Sequence, residues 1–307
     1  MLVSSFFGKS KPVNYAFVIA YMLLFYVLSH VQRTDVWETS VLLSFGGGAI
    51  LYVFSMLLLD FVARQNEISG TTSYLIICYA VCSAMAAANL VYLILLIINI
   101  LILLTMRSVI TLHVQRNIQK KILDASLWVS IAFLTNSVYV LLMIPVIMAV
   151  SVYASGNYRN WIIPFLGFLS VLIIYTAIYM FIWNGVFTIE SWFVDLNFNL
   201  VSFSKINTTY PIIVYLVFIL FFGLKYALVF KRITTKRKPI AILIFSWLGT
   251  VVLLSLLSYQ SDTPSILFMA APLAIMSAFT FETFTKEIVR EIALWIFIVL
   301  PFFQFLA

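Results

Sequence analysis

An all-α bundle of transmembrane helices is the fold class this sequence predicts, and three observations predict it. Apolar residues fill 64% of the 307 positions while charged residues fill 9%, and the mean hydropathy is +1.11. A water-soluble domain carries charge on roughly a quarter of its residues, so lipid is the solvent for most of this surface. The apolar runs are also continuous, where the strands of a membrane barrel would alternate.

The first element is an apolar run from Val13 to Val31, preceded by Lys9 and Lys11. Its length, and the absence of a small-x-small site before Arg33 and Asp35, read as a retained span rather than a cleaved leader. Further spans are predicted at Thr39–Val62, Ile162–Gly185, Thr209–Phe230 and Pro239–Ser258, with shorter ones at Ser265–Phe281 and Ile292–Ala307. Each approaches the roughly 20 residues that cross a bilayer core.

Two stretches do not fit one helix each: Thr71–Met106, of 36 residues, and Ala125–Ala154, of 30. Charge decides how they divide, because Lys and Arg collect on the cytoplasmic side of short loops. If each is two short helices, fifteen of the 18 basic residues reach the face that holds the N-terminus. The prediction is therefore about eleven membrane segments in a single integral membrane domain, residues 1–307, with breaks near Ala86–Asn89 and Asn136–Tyr139. The N-terminus lies in the cytoplasm and the C-terminus outside.

On the inner face, residues 107–124 combine an apolar side (Val109, Ile110, Leu112, Val114, Ile118, Ile122) with a basic one (Arg116, Lys120, Lys121). That pattern suits a helix in the headgroup layer, and an ordinary positive-inside loop fits it equally. The Lys231–Lys238 cluster joins two spans over a few residues, which makes it a topology determinant rather than a nucleic-acid site. Arg107 and Arg159 stand where a guanidinium can bind a lipid phosphate bidentately, and an inside anchor reads the same way.

The outer face is acidic and aromatic. Asp35 and Glu38, three apart in the first external loop, are the candidate catalytic pair, one as general base on a hydroxyl and the other positioning that hydroxyl or holding a metal. The long external loop, residues 186–208, carries Glu190, Trp192 and Asp195, a mixture of ring faces and carboxylates that suits a sugar; an interfacial aromatic belt reads the same way. Within the membrane, Lys225 is the costliest residue, with Asp60, Asp262 or a bound anion as its partner, or its tail snorkelling to the interface.

Some chemistry is excluded. His30 and His113 fall on opposite faces, and Cys78 and Cys82 sit one turn apart in an apolar run, which makes them packing residues. No metal site and no Ser/His/Asp triad assembles from these, and Walker, dinucleotide and HExxH motifs are absent. Which cofactor, if any, the protein uses is unknown from the sequence.

The Lys-Ser-Lys-Pro-Val-Asn start (9–14), Leu-Leu-Asp-Phe-Val-Ala-Arg-Gln-Asn (58–66), the Arg107–Ser126 segment and Tyr-Arg-Asn-Trp-Ile-Ile-Pro-Phe-Leu-Gly (158–167) carry a resemblance to a Bacteroidota family of polytopic inner-membrane proteins of unknown function. A fainter similarity is to multi-span glycosyltransferases and polysaccharide polymerases that use lipid-linked sugars. Those enzymes place a carboxylate in the first external loop, as Asp35 and Glu38 would be, and end in apolar helices with proline, as in Phe268–Ile275. The chain departs from them in its short first loop and lack of a large external domain.

The resemblance implies a bacterial inner membrane and a role with polyprenyl-phosphate-linked saccharides in cell-envelope glycan assembly. Two alternatives stay open, a non-catalytic scaffold for an envelope complex and a transporter or flippase. The expected partners are membrane lipids, polyprenyl-phosphate among them, and an envelope-complex protein.

Overall fold

A computed structural model describes residues 2–32, 39–68, 70, 72–183, 206–230, 238–258, 266–284 and 286–306. No strand occurs among them. The helices in chain order are α1 (Leu2–Phe7), α2 (Pro12–Val31), α3 (Thr39–Gln65), α4 (Tyr74–Met85), α5 (Ala87–Leu90), α6 (Leu93–Ile110) and α7 (Ile118–Phe133). There follow α8 (Met143–Tyr153), α9 (Tyr158–Trp183), α10 (Ile206–Phe230), α11 (Lys238–Ser258), α12 (Ala270–Thr283), α13 (Glu287–Val299) and α14 (Phe303–Leu306).

Eight stretches among the described residues are long and apolar enough to cross a bilayer, and Tyr74–Met85 and Ser137–Tyr153 are shorter apolar helices. With α7 these make the eleven segments the sequence predicts, and the chain is a multi-pass membrane protein. Both long stretches divide as expected. The first breaks at Ala86, where the backbone leaves the helical region (φ −96°, ψ 33°), and the second between Leu134 and Asn136.

The 107–124 segment differs from the single headgroup-layer helix its amphipathic pattern suggests. Helix α6 runs on to Ile110, a 3-10 turn covers Thr111–Val114, and α7 starts only at Ile118. Between them Gln115 and Asn117 take left-handed conformations (φ 57° and 51°), which an asparagine tolerates better than most residues. The Lys121 ammonium closes the corner by donating to the Thr111 carbonyl at 2.6 Å. Val109, Ile110, Leu112 and Ile122 are buried in protein, so the apolar side of the pattern serves packing.

The helices pack as two compact units, residues 1–99, 200–234 and 263–307 in one and residues 100–199 and 235–262 in the other. Helix α6 contributes its residues through Asn99 to the first and the rest to the second. In the first unit α4 lies against α12, and every residue of α4 is buried. Small side chains let these backbones approach, Cys78, Cys82 and Ala84 on α4 against Ala270, Ala271, Ala274 and Ala278 on α12. In the second unit α7 packs on α9, where a methyl group at Gly167 would collide with the Ser126 hydroxyl and Phe133 meets Phe168 edge-on at 5.0 Å.

Candidate functional site

Helices α10 and α13 of the first unit run antiparallel. The Tyr210 hydroxyl donates to the Leu300 carbonyl at 3.0 Å, and further along α10 Phe218 and Phe222 meet Phe297 at 5.0 and 5.6 Å between ring centroids. Between these helices and the end of α12 lies an open groove of about 190 Å³. Its floor is four buried rings, Phe218, Phe222, Phe281 and Phe297, with Phe281 5.9 Å from Phe222 and 5.6 Å from Phe297. Val217, Phe221 and Ile296 form an exposed rim.

The local sequence explains the shape. On α10, Val217, Phe218, Phe221 and Phe222 fall at the helical spacing that puts them on one face, and so do Ala293, Ile296 and Phe297 on α13, with Leu300 in the turn that follows it. Rings of this size, meeting largely edge to face, hold two helices apart rather than letting their axes close. A groove lined by hydrocarbon in a membrane protein has no means of orienting a polar molecule. What it can hold is a lipid chain.

The same two stripes end in cations. On α10 the next position on the groove face after Phe221 and Phe222 is Lys225, which is exposed. On α13 the stripe extends backwards from Ala293 to Arg290 and Lys286. Because the helices are antiparallel, all three lie toward one end of the groove. The Arg290 Nε is buried and has no hydrogen-bond partner.

Carboxylates nearby are held by neutral donors. Glu282 accepts from the Gly70 amide at 3.1 Å and the Thr72 hydroxyl at 2.5 Å, and Glu291 accepts from the Ser4 amide at 2.8 Å. The Asn14 amide ties the same region together, donating to the Phe6 and Lys9 carbonyls and to the Ser73 hydroxyl at 3.0, 2.7 and 3.0 Å.

The structure places the sequence-predicted residues unevenly. Asp35, Glu38, Glu190, Trp192 and Asp195 lie outside the described residues, as does Asp262. Arg107 and Arg159 are both exposed in the second unit, and the Arg159 amide donates to the Asn157 side chain at 3.0 Å, an N-cap for α9. Cys78 and Cys82 are free and buried.

Of the alternatives open for Lys225, the pairing with Asp60 does not form. Asp60 accepts from Arg64 Nε at 2.8 Å and from the Tyr15 hydroxyl at 2.6 Å, while Lys225 stands exposed on α10 beside the groove stripe. An ion pair one helical turn along its own helix satisfies Asp60 without a distant partner. The phenylalanine floor and Arg290 were missed by reading charge alone. The available signal was the aromatic spacing at 218, 221 and 222 with a lysine one turn on.

Among the described residues no three His, Cys, Asp or Glu side chains gather as metal ligands. Compared with protein-family models, with curated proteins and with solved structures, the chain matches none.

Proposed function

We propose that this multi-pass protein takes one lipid chain from the bilayer into the α10–α13 groove and handles polyprenyl-phosphate-linked saccharides in bacterial cell-envelope glycan assembly. In this reading it sits in the inner membrane with its N-terminus in the cytoplasm. The observation that carries it is the groove, with its buried floor of Phe218, Phe222, Phe281 and Phe297 and exposed rim. A floor of rings beneath an open side admits a chain laterally from lipid, which a closed core cavity would not.

Asp35 and Glu38 remain the proposed chemical groups, acting on a saccharide hydroxyl outside the membrane, with Glu190, Trp192 and Asp195 as its sugar-facing surface. Arg107 and Arg159, exposed in the second unit, suit phosphate headgroups there.

The test is purification of tagged protein in mild detergent followed by mass spectrometry of retained lipids, beside a variant with Phe222→Trp and Ala293→Phe to fill the groove. An isoprenoid lipid held near one per chain by the natural sequence and lost from the filled variant is the expected result. Bulk phospholipid alone, unchanged by filling, would sink the reading.

A second reading rests on α9. Ile173, Ile174, Phe181 and Ile182 are exposed along its length, Phe181 at 88%, a surface that a membrane-embedded partner of an envelope complex would cover. In that case the same purification retains a protein and no isoprenoid lipid.

A further inference from the structure

We infer that α1 is a strap holding the start of α13 against its unit, and that release of this strap opens the α10–α13 groove toward the bilayer. This rests on the lipid-groove reading above and adds how the groove admits its chain.

The two ends of α13 are held by different means. Near its end the Ile298 carbonyl accepts from the Tyr21 hydroxyl at 2.9 Å, and just past it the Leu300 carbonyl accepts from Tyr210 at 3.0 Å. Phe302 then packs on Phe25 at 4.8 Å between ring centroids, and Gln304 is bonded to the Ala84 carbonyl. The buried residues of α13, Leu294 and Phe297, also belong to its second half. Its first two turns, residues 287–293, contain no fully buried residue. Helix α13 packs on α1, and the bond between them stands in that first half, where the Glu291 carboxylate accepts from the Ser4 amide at 2.8 Å.

The sequence fits α1 to this task. Ser4 is the third residue of α1, and the first amides of a helix have no partner inside it, so the Ser4 N–H can bond a carboxylate at no cost to the helix. Phe7 seats the strap, buried and edge-on to Phe17 at 6.4 Å. Behind it the Tyr74 hydroxyl donates to the Ser4 carbonyl at 2.8 Å and the Ser73 amide to the Phe7 carbonyl at 2.9 Å. Helix α1 is thereby fixed to the helices α2 and α4, and it reaches α13 through Glu291.

The start of α13 has room to move. Phe284 and Lys286 take extended backbone (φ −65°, ψ 120° and φ −91°, ψ 117°), so α12 and α13 are two rods rather than one. The residues 284–286 that join them reach roughly 10 Å when extended. Glu282 before them is held by Gly70 and Thr72, which keeps α12 in place while α13 turns. With its 13 residues, α13 is a rod of roughly 20 Å, and a tilt of about 15° about the anchored end carries its start roughly 5 Å. Ala293 and Ile296 line the groove from this helix, so the tilt widens the groove.

The experiment is pulsed electron spin resonance on the full-length protein in detergent, with spin labels on cysteines introduced at exposed positions; Cys78 and Cys82 are buried. Leu228→Cys with Ile288→Cys reads the strapped end, and Ile213→Cys with Val299→Cys the anchored end. Ser4→Pro removes the amide donor and Glu291→Ala the acceptor. Each should lengthen the first distance by about 5 Å and leave the second unchanged. Ser4→Ala keeps the amide and should leave both distances as they are. Geranylgeraniol, as the probe of the groove, should be released several times faster by the two opened variants than by the natural sequence.

An unchanged first distance in both variants would overturn the strap and leave the groove reading standing. Equal lengthening at both ends would overturn it too, because α1 would then hold the unit together rather than one wall. A lengthened first distance in a protein that binds no geranylgeraniol supports the strap and removes the lipid chain as the occupant of the groove.

Discussion

The two broken stretches face the same physical problem and solve it differently. A helix that stops at membrane depth leaves backbone carbonyls with no water to take them up. At the first break, between α4 and α6, the carbonyls are taken up by side chains from far along the chain. The Tyr215 hydroxyl donates to the Cys82 carbonyl at 2.5 Å and the Gln304 amide to the Ala84 carbonyl at 2.7 Å. At the second break, between α7 and α8, the partners are neighbours: Asn136 caps the Val138 amide at 3.0 Å, and the Thr135 hydroxyl turns back on the Ala132 carbonyl at 2.7 Å.

The difference teaches what each break is for. Tyr215 precedes Val217 and Phe218 on α10, so the bond to Cys82 pins one wall of the groove to the most buried helix of its unit. Gln304 does the same for α14, which follows α13 directly after a short 3-10 turn at Leu300–Phe302. The first break therefore uses its spare carbonyls as anchor points for the groove. The second break is self-contained in its capping bonds, and the 3-10 turn that follows it, Ser137–Leu142, packs against α11.

That contrast is open to attack by mutation, and the largest effect belongs to the distant bonds. Tyr215→Phe leaves the Cys82 carbonyl buried and unpaired, at about 1–3 kcal/mol. With Gln304→Leu added, the loss in detergent unfolding should grow and isoprenoid retention should fall. Full retention in the double variant would show that the groove does not depend on the first break.

An intermediate effect is expected from Asn136→Ala, where loss of a cap costs about 1 kcal/mol; stability should drop by that much in the same unfolding assay while lipid retention stays unchanged. The smallest is Thr135→Val, an exposed position whose bond is local, with a shift expected within about 0.5 kcal/mol. If either of these altered lipid retention as much as Tyr215→Phe, the distinction between an anchoring break and a self-contained one would fail.

The same contrast marks what was legible in advance. Asn136 after an apolar run, followed by further apolar residues, is a cap signal written within a few positions, and the second break was found where it stands. The first break was found too, from the excess length of Thr71–Met106, but Tyr215 and Gln304 as its partners were not, because nothing near Cys82 in the chain points 133 residues ahead. Lys225 shows the middle case: its cost in the membrane was evident, and its choice of environment was not.

By itself the sequence determined the solvent, the helical class, the approximate number of segments and the places where two of them break. Those properties depend on composition and on local backbone chemistry, which operate over a few residues. Only the tertiary structure decided that Phe218, Phe222, Phe281 and Phe297 share one floor, that Lys225 and Arg290 lie toward the same end of it, and that Asp60 is satisfied by Arg64 and Tyr15. Those are facts of helix pairing, set by how small and large side chains fit across segments distant in the chain, and inside a membrane hydrophobicity alone does not choose between one pairing and another.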